Sequence, residues 1–125
     1  MKQFTAPAQT AELIKLGFEE PKTVTGISWD TPEDDSPFIN ANSIEFDYHY
    51  SIGELIEILP TYCRYRYGDR EFRAQIQIKF YLSRWHIVYL KFEEDHCGHL
   101  YDCGSDELID ALYDMIATLK EKGVI

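Results

Sequence analysis

Six side chains able to ligate a transition metal fall within nine residues of this chain: Asp95, His96, Cys97, His99, Asp102 and Cys103, in the run DHCGHLYDC. Thiolate, imidazole and carboxylate are the donors that zinc and its neighbours take. The spacing is Cys-x-His-x3-Cys, without the paired Cys-x2-Cys knuckle of structural zinc sites, so the run reads first as a polar loop between a strand and the closing helix. Its cysteines would pack partly under that helix. If the loop does hold zinc, His96, Cys97, His99 and Cys103 are the ligand set, and the chain is a small metal-binding regulator; otherwise no cofactor is expected. A nucleophilic reading of Cys97 beside His99 needs a third group to orient the imidazole, which spacing alone does not supply.

A second constellation is a matter of charge. Residues 61 to 92 carry seven Lys/Arg against two acids, a net +5, whereas residues 1 to 60 sum to −8 and residues 93 to 125 to −7. Nine of the eighteen aromatic residues lie in the same basic stretch. Phe72, Ala74, Ile76, Ile78, Phe80 and Leu82 alternate with Arg73, Gln75, Gln77, Lys79 and Tyr81, a period of two that belongs to a strand. One face is therefore core. The other presents Arg64, Arg66, Arg73, Lys79 and Tyr81, with Trp85 and Tyr89 joining by parity, and cations beside aromatic rings on a sheet are how many proteins stack single-stranded bases. The competing explanation is internal: acids such as Glu45 and Asp47 on a neighbouring strand would neutralise the row. The net charge of −10 repels polyanions at long range and favours that second explanation.

Glu33, Asp34 and Asp35 form a third cluster, without the spacing of a calcium loop, and read as a solvated face. No P-loop, GxGxxG, GxSxG or HExxH motif occurs. The expectation is a protein that is not an enzyme.

The elements that must position these groups are legible from period and caps. Thr5 before Pro7 predicts a first helix with Leu13, Ile14 and Leu16 on its apolar side, ending at Gly17. Pro21, Pro32 and Pro37 make the following segment mostly loop, with a short strand from Thr23 to Trp29. Ile44, Phe46, Tyr48 and Tyr50 alternate with Glu45, Asp47 and His49 as a half-buried strand. Ser51 and Glu54 form a capping box, Ile52, Leu55, Ile56 and Leu59 follow on one helical face, and Pro60 stops the helix. Three antiparallel strands then run from Tyr62 to Tyr67, from Phe72 to Leu82 and from Trp85 to Phe92, joined by turns at Gly68-Asp69 and Ser83-Arg84. WHIVYLKF is apolar on both parities, as an inner strand should be. Ser105 is placed to cap a last helix whose stripe is Leu108, Ile109, Leu112, Met115, Ile116 and Leu119, with Asp110, Asp114 and Glu121 outward.

At 125 residues the chain matches one domain, residues 1 to 125, with a core of its own. The fold class expected is α+β: a mainly antiparallel sheet of four or five strands, with two or three helices of which the main ones pack on one face. No apolar run is long enough for a membrane span, and the first residues lack the apolar stretch of a secretory signal. With three cysteines, an odd number that suits reduced thiols, the expected location is the cytoplasm.

The segments TAELIKLGFEEP, YSIGELIEILP and ELIDALYDMIATLKEKGVI together resemble a family of small uncharacterised proteins of gut bacteria carried on prophages and other mobile elements. The resemblance implies a setting and no catalytic residues. In that setting the expected function is a non-enzymatic accessory factor that binds a protein partner. The alternative is a single-strand nucleic-acid binder working through the basic sheet face.

Overall fold

The computed structural model describes residues 1–29, 44–93 and 96–125. Glu33, Asp34, Asp35 and Asp95 lie outside the described residues. The described residues form three helices and two antiparallel sheets, an α+β fold.

Helix α1 (Pro7–Lys15) starts on proline, which needs no hydrogen bond at that position. Its N-cap is Ala6 rather than Thr5, and the Gln9 side chain accepts from the Ala6 N–H at 2.9 Å. Thr5 is drawn inward instead, where it accepts from the Tyr50 N–H at 3.1 Å. Of the expected apolar side, Leu13 is buried while Ile14 stays exposed.

Strands β1 (Thr23–Trp29) and β2 (Ile44–His49) pair only with each other. The cross-strand pairing of Glu45 and Asp47 with the basic strip, expected from the sequence, therefore does not form. Asp47 and Glu45 stand opposite Gly26 and Ser28, not opposite an arginine.

Helix α2 (Ile52–Ile58) carries the capping box as expected, with the Glu54 N–H donating to Ser51 Oγ at 3.2 Å and Glu54 Oε1 accepting from the Ser51 N–H at 3.3 Å. Leu55 and Leu59 are buried, but Ile56 is exposed and Ile58 takes its place against the core. In so short a helix the docking side is set by its neighbours rather than by ideal periodicity.

Strands β3 (Tyr62–Tyr67), β4 (Arg70–Tyr81), β5 (Arg84–Glu93) and β6 (His96–Ser105) make the larger sheet in that order. β5 is an inner strand, as its two-sided apolar pattern required. Its second neighbour is β6, the segment expected to be a polar loop. An inner strand must find ladder partners on both edges, and the 96–105 backbone supplies them although its glycines and polar residues give it little strand propensity of its own. Because β6 extends to Ser105, the last helix α3 (Leu108–Glu121) begins later than expected, with Glu107 at its N-cap. Ser105 accepts from the Glu107 N–H at 3.4 Å without capping the helix.

The core lies between the sheet and the helices. Leu108, Ile109, Leu112, Met115, Ile116 and Leu119 of α3 are buried together with Leu13 of α1, Leu55 and Leu59, and Ala74, Ile87 and Tyr89 of the sheet. The Tyr89 hydroxyl donates to the Pro60 carbonyl at 2.7 Å, which ties the end of α2 to β5.

Candidate functional site

Residues directly opposite one another in an antiparallel ladder share a face, so the register sorts every candidate. Ile78, Ile87 and Cys103 line up on the core face, as do Phe80, Trp85 and Ser105. Trp85 and Tyr89 therefore belong to the core side and not to the polar row. Trp85 packs on Phe80, their ring centroids 5.1 Å apart, and Tyr89 is fully buried. β5 is apolar on both parities, so only its pairing with β4 could decide between them.

The opposite face carries Tyr62, Arg64, Arg66, Arg73, Gln75, Gln77, Lys79 and Tyr81, all exposed. Arg64 reaches Glu71 within the same hairpin at 3.7 Å, a solvent-exposed pair of small energetic weight. The Arg73 guanidinium lies 4.6 Å above the centre of the Tyr62 ring. Among the described residues no carboxylate comes within ion-pair distance of Arg66 or Lys79. Helices α2 and α3 pack on the other side, which leaves this row facing solvent. Val88 is the apolar centre of the face, fully buried and flanked in the ladder by Gln77 and Asp102.

The cysteine and histidine residues are split by the same geometry. Between Tyr89 and Leu90 the pairing with β6 slips, so that Tyr89 faces Tyr101 and Leu90 faces His99, with Leu100 the extra residue of a bulge. The bulge brings His99 and Asp102 to one face, His99 Nδ1 3.1 Å from Asp102 Oδ2. Cys103 is on the other, its Sγ 3.8 Å from Thr118 Oγ1 of α3. Burial pushes its thiol above the ordinary range, and Asp114 and Asp102 add to the shift against a hydrogen bond to Thr118. A ligand set that includes both His99 and Cys103 is therefore not assembled. The His96 and Cys97 side chains lie outside the described residues. Among the described residues no three His, Cys, Asp or Glu side chains converge as a metal site.

Two features had no clear sequence signal. One is the tip of the β4–β5 hairpin, where the turn is Leu82-Ser83, one residue earlier than expected. Both residues have positive φ, 51° and 60°. These are the mirror-image turn angles that favour Asn-Gly, so the leucine and serine hid the turn. The other is a cleft of about 380 Å³ where the chain after α1 meets α2, with Phe18, Tyr50 and Ile58 as its apolar lining and Glu19, Glu20, Glu57 and the Glu19-paired Lys22 exposed around it. Burial, with Glu54, Glu20 and Glu19 nearby, pushes the Tyr50 phenol up. The acids of the cleft stand up to 38 residues apart in sequence and meet only in the fold.

Among the described residues no helix is long and apolar enough to cross a membrane. No protein family, curated protein or solved structure matches the chain.

Proposed function

We propose that the chain is a non-enzymatic binding module whose helix-free sheet face docks an acidic segment of a protein partner. The observation that carries this reading is the row of Arg64, Arg66, Arg73 and Lys79, exposed on one face of the larger sheet, while β2 pairs with β1 in a separate sheet. Arginine forks and the amides of Gln75 and Gln77 suit carboxylates and peptide carbonyls. An accessory factor of a prophage or mobile element, which the family resemblance implies, would work in this way.

Charge alone would serve a nucleic acid as well, and the placement of rings favours protein. Base stacking needs aromatic platforms at the middle of the sheet. On this face the central strands offer Gln75, Gln77, His86 and Val88 there, with Tyr62 and Tyr81 toward the margins. The Tyr62 ring already carries Arg73, and the overall charge of −10 opposes a polyphosphate at long range.

Fluorescence titration separates the readings. A labelled Asp/Glu-rich peptide and a mixed-sequence single-stranded oligonucleotide of equal charge are titrated with the protein at low and moderate salt. The expected result is tighter binding of the peptide, lost in the R66E/K79E variant. Tighter binding of the oligonucleotide would replace the proposal with the nucleic-acid reading, and binding of neither at low salt would overturn both.

A further inference from the structure

The β4–β5 hairpin ends in an apolar tip that the fold leaves uncovered. Leu82 is 78% exposed, Tyr81 61% and Phe80 59%. Leu82 is also held at φ 51°, a conformation an L-residue adopts against Cβ repulsion. A leucine at the apex is thus unfavourable both for the turn and for solvation, and this combination points to burial on binding. Two cations flank it, Lys79 and Arg84, of which Arg84 reaches Asp106 at 3.7 Å.

The same molecule carries an apolar cleft with an excess of acids at its rim. The cleft lined by Phe18, Tyr50 and Ile58 has a volume of about 380 Å³, within the range of pockets that take a compact apolar group. Its rim exposes Glu19, Glu20 and Glu57 against one cation, Lys22, which pairs with Glu19 at 3.9 Å and so leaves Glu20 and Glu57 as the acids open to a partner. We propose that the hairpin tip of one molecule docks in this cleft of a second copy, Leu82 entering the apolar lining and Lys79 and Arg84 meeting the acidic rim.

Such a contact joins two different surfaces. It is therefore heterologous and propagates head to tail unless the geometry closes a ring. The area is small, so association is weak and visible only at high concentration. It goes beyond the docking of an acidic partner on the sheet face.

Sedimentation equilibrium from low micromolar to millimolar protein tests it with two variants. L82N/S83G replaces the tip with the pair this turn prefers and leaves Arg66 and Lys79 in place. Its melting temperature should rise by a few degrees, which shows an intact fold, while self-association is lost. E20K/E57K reverses the cleft rim and should also be monomeric. Neither variant can extend a chain, yet a mixture of the two retains one good tip and one good cleft, and should sediment as a one-to-one dimer. Wild-type protein that stays at 14.6 kDa throughout, association unchanged in either variant, or a mixture that remains monomeric would each overturn the proposal. Failure here leaves the peptide titration untouched, since R66E/K79E is read separately.

Discussion

Glu54 accepts a hydrogen bond from the Thr23 hydroxyl, so the residue that closes the capping box of α2 also anchors the first strand of the small sheet. It accepts from the Lys22 N–H as well, at 3.0 Å. One carboxylate thus ties together two elements that are distant in sequence.

That junction should make stability depend on pH. Burial alone would raise the Glu54 carboxyl, but hydrogen bonds from Thr23, Lys22 and Ser51 outweigh it and hold it below the ordinary value of 4.5. A depressed carboxyl contributes stability above its unfolded value, and the contribution is lost as pH falls through the lower folded value. Glu54→Gln keeps an acceptor for the capping box but removes the charge from the bonds with Thr23 and Lys22, and should cost about 1 kcal/mol at neutral pH, the difference between a charged and a neutral hydrogen-bond acceptor. It should also flatten the loss of stability below about pH 4.5. Urea titrations across pH measure both effects, and an unchanged acid limb would show that Glu54 is not the group responsible.

The helical stripe offers a graded test of packing. Leu112 is fully buried among the sheet and helix residues of the core, whereas Ile14 of α1 is 40% exposed. Leu112→Ala should cost about 2–5 kcal/mol through lost burial and the cavity left behind. Ile14→Ala should cost less than about 1 kcal/mol. Midpoints of urea unfolding at constant slope give the comparison.

Both described thiols should be inert in the folded protein. Burial raises Cys63, against a weaker opposing hydrogen bond with Tyr89, and burial likewise raises Cys103. In a Cys97→Ser variant, which leaves only these two of the three cysteines, a thiol reagent at neutral pH should react slowly. It should react rapidly once denaturant is added, because the thiolate is the nucleophile and is disfavoured by burial. Fast labelling of native protein would contradict the placement of Cys103 beneath α3.

How much of this was legible in the sequence differs element by element. The α2 capping box, the α3 stripe and the alternation of Phe72 to Leu82 are local patterns, each readable because the hydrogen bonds or the burial they imply repeat at a fixed period. The turn at Leu82-Ser83 broke the usual Asn-Gly signature, and β6 lacked strand-forming residues. Both were shaped by neighbours rather than by their own preferences. Of the candidate residues, Arg64, Arg66, Arg73, Lys79 and Tyr81 lie on one exposed face as alternation required, but Trp85 does not, and the bulge at Leu100 sends His99 and Cys103 to opposite sides.

The sequence by itself determined the helices, the meander and the existence of a polar row, because side-chain period and capping are short-range properties of the chain. Only the tertiary structure decided what that row faces. Strand pairing brings residues far apart in sequence into register, and a slip of one residue reverses every face it touches. Pairing β2 with β1 in its own sheet set Glu45 and Asp47 opposite Ser28 and Gly26 in the ladder and not opposite the cations. The row of Arg66, Arg73 and Lys79 is exposed on the face away from the helices, and a different set of acids, Glu19, Glu20 and Glu57, meets at the cleft formed by the chain after α1 and α2.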